Sequence, residues 1–280
     1  MTMQAITYRP SWRVAAAVLV VIGRGTSLVL AALVFLLHAP ISPLRLIQIF
    51  SIFFLAPQVV AWLIQRALAA TVSIEDGAIV LLSRHRRTEV PVDAIDHVSP
   101  WAVPLPAPGL RLRLRSGRRF QYGLCPADLM RFIAAVADAG APEPVRCASG
   151  HPTARYARSK GLAWRRWDHP LLKFVVFALV PTLPLFRLHQ YLAYGGTFGE
   201  YYQHGLKAYL LGFGLHWLLS AIHLVLYAAV LRGITEVVAL TAAWVAPSRE
   251  ARVRLAAELW HRILYYGAVP VFLILRFWPW

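Results

Sequence analysis

Three side chains in apolar surroundings are the first candidates for chemistry: Arg24, His216 and His223. Arg24 sits in the stretch VVIGRGTSLVL. It lies about ten residues, or about 15 Å, along a helix built from this run. A charge at that depth in hydrocarbon is costly and points to a partner or a function. The only carboxylate of like depth is Glu236, which follows Arg232. The other partners for Arg24 are a second subunit or a lipid phosphate. His216 and His223 are seven residues apart and share one helical face, with His189 and His204 just before them. Histidine can ligate a metal or haem. One ion held by two histidines of one helix needs spacing i,i+3 or i,i+4, however, so a spacing of seven reads as polar helix–helix contact. No metal site and no cofactor are expected.

A second set of residues carries charge rather than catalysis. Leu110, Leu112 and Leu114 alternate with Arg111, Arg113 and Arg115; Ser116-Gly117 then turns the chain into Arg118 and Arg119. A period of two is a strand with one oily and one basic face. Arg84, Arg86 and Arg87 form a further basic loop. Such a face can lie against anionic headgroups, at about 1 kcal/mol per residue near the surface. It can equally meet an acidic partner protein or stay solvated. No nucleotide-binding glycine loop in a strand–loop–helix setting, no nucleophile elbow and no carboxylate pair placed for acid–base work is legible.

The elements that carry these residues follow from composition. The chain has 280 residues, 58% hydrophobic and 15% charged, and a net charge of +16. Soluble domains carry about 25% charged residues. The apolar residues fall in long runs, as a bilayer requires. Spans are predicted over 14–37, 44–69, 170–188 and 207–231. A shorter fifth is predicted over 263–280, with Trp278 and Trp280 as interface anchors. The first run is too long for a signal-peptide core, so it is expected to be retained. Residues 234–246 are short for a crossing and suit a re-entrant or interfacial helix. From Arg249 the pattern is amphipathic, with Val253, Ala256, Leu259, Trp260 and Ile263 on the apolar face and Arg252, Arg254, Glu258 and Arg262 elsewhere.

Residues 71–169 hold 15 of the 29 lysines and arginines, while loops 38–43 and 188–206 hold none. Positive residues stay on the cytoplasmic side, so the block is expected in the cytoplasm of a cell with an inner membrane. Basic charge beside hydrophobic spans favours an anionic membrane over nucleic acid. Cys125 and Cys147 match no metal or redox spacing and read as reduced thiols.

Within 71–140 the pattern turns strand-like. "VSIEDGAIVLLSR" carries a hairpin turn at Glu75-Asp76-Gly77, and "TEVPVDAIDHV" and "LRLRLRSGRRFQYGL" follow. "PADLMRFIAAV" then opens a helix with Leu129, Phe132, Ile133 and Val136 on one side, ended by Gly140. A fourth strand is placed at 97–103, beside the proline-rich WAVPLPAPG. This order of strands and one helix resembles a bacterial pleckstrin-homology domain of small membrane proteins. The resemblance implies a scaffold fold and no catalytic residues. Residues 141–169 read as a basic, tryptophan-bearing juxtamembrane linker between this domain and the C-terminal helices of 170–280.

The expectation is thus an α-helical polytopic membrane protein of about five spans, with a small inserted α+β pleckstrin-homology-like domain after the helical hairpin of 1–70. Its expected role is a non-enzymatic scaffold or accessory subunit of an inner-membrane complex, whose cytoplasmic domain touches anionic lipid or a membrane-protein partner. The rival is a membrane-embedded enzyme or transporter using Arg24, His216 and His223.

Overall fold

The computed structural model describes residues 2–37, 39–83, 86–140, 145, 147–162 and 169–277. The chain divides into two compact units. The first comprises 1–24, 53–164 and 236–257, and the second 25–52, 165–235 and 258–280.

The first unit is built on a seven-stranded antiparallel sheet. Its strands are β1 (Thr2–Tyr8), β2 (Ala69–Glu75), β3 (Ala78–Ser83), β4 (Arg86–Pro91), β5 (Ile95–Pro100), β6 (Leu110–Leu114) and β7 (Arg119–Pro126). They pair in the order β4-β3-β2-β1-β7-β6-β5. β1 was not expected as a strand. It joins the two halves of the sheet, with Met3 opposite Val72 on one side and Ile6 opposite Cys125 on the other. The Asp76-Gly77 turn carries positive φ at both residues, as a tight two-residue hairpin requires. The fourth strand of the block ends at Pro100, not Val103, and Pro126 closes β7 instead of opening a helix.

The core lies between one face of this sheet and α3 (Leu129–Asp138). The Asp128 carboxylate caps α3 by accepting from the Arg131 backbone N–H at 2.9 Å. Leu129, Phe132, Ile133 and Val136 are its buried residues, as the spacing predicts. Within the stretch 141–169, expected to be a linker, Pro152–Leu162 is a helix, α4, with Thr153, Ala154, Tyr156 and Ser159 buried. The Thr153 hydroxyl donates to the Trp101 carbonyl at 2.6 Å. α4 escaped the hydropathy pattern because its buried face is made of small and hydroxylated residues. Trp164, Trp167, Arg165 and Arg166 lie outside the described residues.

Four helices among the described residues are long and apolar enough to cross a membrane: α1 (Pro10–Leu36), α2 (Pro43–Ala67), α5 (Leu172–Tyr194) and α6 (Gly199–Val245). α2 contains a π-helical stretch at Phe50–Leu55. Pro57 lacks an N–H and crowds the preceding turn, which accounts for the looser winding. The segment 234–246 is no separate re-entrant or interfacial piece. It continues α6, whose 47 residues are broken only at Gly205, at φ 81°. Nothing after Gly233 breaks a helix before Pro247. From residue 206 on, α6 is about 60 Å long, beyond the roughly 30 Å of a hydrocarbon core. α7 (Glu250–Phe277) joins the amphipathic segment and the expected fifth span into one helix. The anchors Trp278 and Trp280 lie outside the described residues.

Candidate functional site

The arginines of the basic hairpin stand where alternation places them. Arg111, Arg113, Arg115, Arg118 and Arg119 are exposed, while Leu110 and Leu112 are buried. Gly117 turns the hairpin at φ 79°, and the Leu114 N–H donates to the Arg118 carbonyl at 3.0 Å. Asp96 on β5 lies 4.0 Å from Arg113. Arg86 and Arg87 are on β4, at the opposite end of the pairing order, so the basic residues do not form one strip along neighbouring strands. Arg87 is ion-paired to Glu89 at 2.7 Å. Arg84 lies outside the described residues.

The largest departure from expectation is on α7. Arg254 and Glu258, expected on the polar side of an interfacial helix, are buried in the protein, whereas Arg252 is exposed; Leu259, Trp260 and Ile263, expected on the apolar face, are together on the exposed side. The buried stripe is Glu250, Arg254, Glu258, His261 and Tyr265, at helical spacing. A helix that hides three of its charged side chains and shows much of its apolar side is inverted relative to water. Hydrocarbon around it would favour this arrangement, because every buried charge then finds a protein partner.

Within the first unit, Arg254 makes a two-pronged ion pair with Glu236 of α6, at 2.8 and 3.1 Å. The Tyr156 hydroxyl of α4 donates to the same carboxylate at 2.5 Å. Arg158 of α4 pairs with the buried Glu250. Burial, then the charge of Glu236, pushes the Tyr156 phenol up, so it stays protonated and donates. Arg24 is exposed on α1 and its charge opposes that shift at Tyr156. Arg24 thus belongs to the surroundings of α4 instead of standing among apolar side chains alone. The adjacent Gly23 is buried against Gln58 of α2, and a Cβ there would meet the Gln58 amide at 2.5 Å.

Within the second unit, Arg232 of α6 pairs with Glu258 at 2.7 Å. Lys173 of α5 lies 3.2 Å from His261 Nε2 and 4.5 Å from the Tyr265 ring centroid. The Tyr265 hydroxyl donates to the Lys173 carbonyl at 2.9 Å. Sequence spacing missed these networks because ion pairs between helices far apart in sequence leave no local signature. The one readable signal was Glu250, Arg254 and Glu258 at intervals of four.

The two histidines of α6 do not converge. His216 donates from Nδ1 to the Gly212 carbonyl at 2.9 Å, and its ring lies 4.7 Å from that of His189. His223 meets Phe35 at 6.1 Å and lines an apolar cleft of about 820 Å³ between α1, α5, α6 and α7. Seven residues return nearly to the same face but advance about 10.5 Å, so each histidine meets different neighbours. Among the described residues, no three His, Cys, Asp or Glu side chains are grouped to hold a metal ion.

Cys125 is buried, and burial pushes its thiol up to about 12. Cys147 is exposed. No family model matches this chain, and no curated protein and no solved structure is similar to it.

Proposed function

We propose that this protein is a non-enzymatic membrane scaffold or accessory subunit, whose sheet domain rests on the cytoplasmic face of an inner membrane and engages anionic headgroups and a membrane-protein partner. The observation that carries the reading is the division of charge. The buried charges of α7 are paired with neighbouring helices, Arg254 with Glu236 and Glu258 with Arg232 of α6, and Glu250 with Arg158 of α4, which is the use of charge expected of helix assembly. The arginines of the β6–β7 hairpin are turned outward instead. The pleckstrin-homology reading is supported by a seven-strand antiparallel order that brings β1 beside β7, with a helix after the last strand. The rival reading, a membrane-embedded enzyme or transporter, keeps one observation in its favour: His223 lines the apolar cleft.

The surface reading is tested by hydrogen exchange on the full chain in nanodiscs. Adding phosphatidylglycerol to phosphatidylcholine slows amide exchange across residues 111–119 by about fivefold or more, at about 1 kcal/mol per engaged arginine. The R111E/R113E/R118E variant abolishes the change. Equal exchange in both lipids overturns the reading. The orientation is tested by a membrane-impermeant maleimide. It labels one thiol per chain, Cys147, in inverted vesicles and none in right-side-out vesicles. Cys125 stays unlabelled until the protein is unfolded, since its buried thiol holds its proton. Labelling of Cys147 from the outer side sinks the cytoplasmic assignment.

A further inference from the structure

Protein interiors pack with few voids larger than a water molecule. In the second unit, α1, α5, α6 and α7 nevertheless leave a cleft of about 820 Å³ between them. The sequence explains the gap. Ala31 and Ala32 of α1, Pro181 of α5 and Ala268 of α7 all line it with short side chains. Phe35 and Leu36 also line it and are exposed, so the cleft opens on the surface of these helices. For helices that cross a bilayer that surface meets hydrocarbon, and an occupant enters sideways from the lipid.

Three lining residues carry polar side-chain atoms, all on α6: Ser220, His223 and Tyr227. The Tyr227 hydroxyl donates to the Leu264 carbonyl at 3.2 Å and is thereby satisfied. Ser220 is 8% exposed, and its hydroxyl has no protein partner among the described residues. A buried hydroxyl without a partner is destabilising, so it marks a place where a ligand atom belongs. The His223 ring sits against the α1 wall, 6.1 Å from the Phe35 ring. The Leu219 carbonyl, one turn back, is the hydrogen-bond partner of one His223 ring nitrogen. In a neutral imidazole that nitrogen carries the proton, and the other is left as an acceptor. Residues three apart on a helix are neighbours, about 5–6 Å between Cβ atoms, and a serine oxygen is bonded directly to its Cβ. Ser220 and His223 thus offer a donor and an acceptor side by side. No Lys, Arg, Asp or Glu lines the cleft among the described residues.

We propose that this cleft binds one uncharged lipid alcohol of the diacylglycerol type, with its free hydroxyl between Ser220 and His223 and its apolar chains along the cleft. One hydroxyl meets both demands: it donates to the acceptor nitrogen of His223 and accepts from Ser220. A quinone presents carbonyl oxygens only and leaves the imidazole acceptor unmet. A phosphate or ammonium head finds no counter-charge in the lining, and an unpaired charge at that depth is costly. The volume lies in the range of pockets that hold one small ligand by an apolar lining and a few fixed polar groups. The site goes beyond the scaffold reading and rests only on its membrane part. The ladder is suited to anionic headgroups, whereas this cleft excludes them.

The test is native mass spectrometry of the full chain in detergent, titrated with dioleoylglycerol and with its acetyl ester, in which the hydroxyl is capped. The wild type takes up one dioleoylglycerol, about fivefold or more tighter than the capped lipid. S220A and H223L each weaken dioleoylglycerol uptake by about fivefold, as the loss of one hydrogen bond predicts. H223L leaves the capped lipid within about twofold, since that lipid has nothing to donate to the imidazole. An unchanged unfolding temperature certifies the fold of each variant, and the comparison of the two lipids on the wild type needs neither. Equal uptake of the two lipids by the wild type, or undiminished uptake by H223L, overturns the hydroxyl assignment. Preference for a menaquinone or for phosphatidylcholine over dioleoylglycerol gives the cleft a different occupant and overturns it too. A chain that stays in membranes washed with alkaline carbonate yet takes up no dioleoylglycerol refutes the cleft alone. Release of the chain by that wash sinks the membrane reading, and the cleft with it.

Discussion

Arg254→Leu is expected to destabilise the protein by about 3–5 kcal/mol, because it strands a carboxylate that is shielded from water. The arginine side chain is 1% exposed and Glu236 18%, so solvent does little to screen the loss. The cost belongs to the abandoned partner more than to the pair. Bringing two ions out of water is itself expensive, and their attraction repays this only with good geometry. Here the geometry is the two-pronged fork completed by the Tyr156 hydroxyl. The E236L/R254L double variant should therefore recover most of the loss. Adding Tyr156→Phe should recover the remainder, about 1–3 kcal/mol for an orphaned buried hydroxyl. The measurement is unfolding of the purified protein in mixed detergent and SDS, followed by tryptophan fluorescence. A double variant as damaged as Arg254→Leu alone would show that the network does more than satisfy its own charges.

Ala5→Asp is expected to cost about 3 kcal/mol or more, while Gln4→Asp one residue away changes stability by about 0.5 kcal/mol or less. Ala5 is 4% exposed within the core beneath α3, and Gln4 is exposed on the other face. The contrast follows from the period-two alternation of β1. β1 bonds to β2 and to β7 at once, so a carboxylate at Ala5 falls between the two halves of the sheet. The same unfolding measurement reports both variants. Equal tolerance at the two positions would mean that residues 2–8 form no central strand.

How much of this was legible beforehand depended on whether the signal was local. The β6–β7 hairpin was legible because leucine–arginine alternation around Ser116-Gly117 states both faces and the turn within ten residues. α3 was legible for the same reason, and its four buried residues are the ones its spacing names. β1 was not legible. Seven residues of mixed type ahead of a long apolar run look like a tail until β2 and β7, more than sixty and more than a hundred residues away, supply their edges. α4 was hidden because hydropathy does not register burial achieved with alanine, serine and threonine. The candidate sites divide in the same way. The ladder could be read from sequence. The fork between Arg254 and Glu236 could not, since only the tertiary fold brings α7 beside α6.

Composition and the length of the apolar runs determined, by themselves, that several helices can cross a bilayer and where the exposed basic charge collects. Those properties follow from each residue's own transfer energy and from short repeats. Which face of α7 is hidden was decided only by tertiary structure. An amphipathic pattern states that two faces differ, but not which solvent each will meet. Burying Arg254 became favourable only once Glu236 and Tyr156, from separate helices, stood ready to satisfy it.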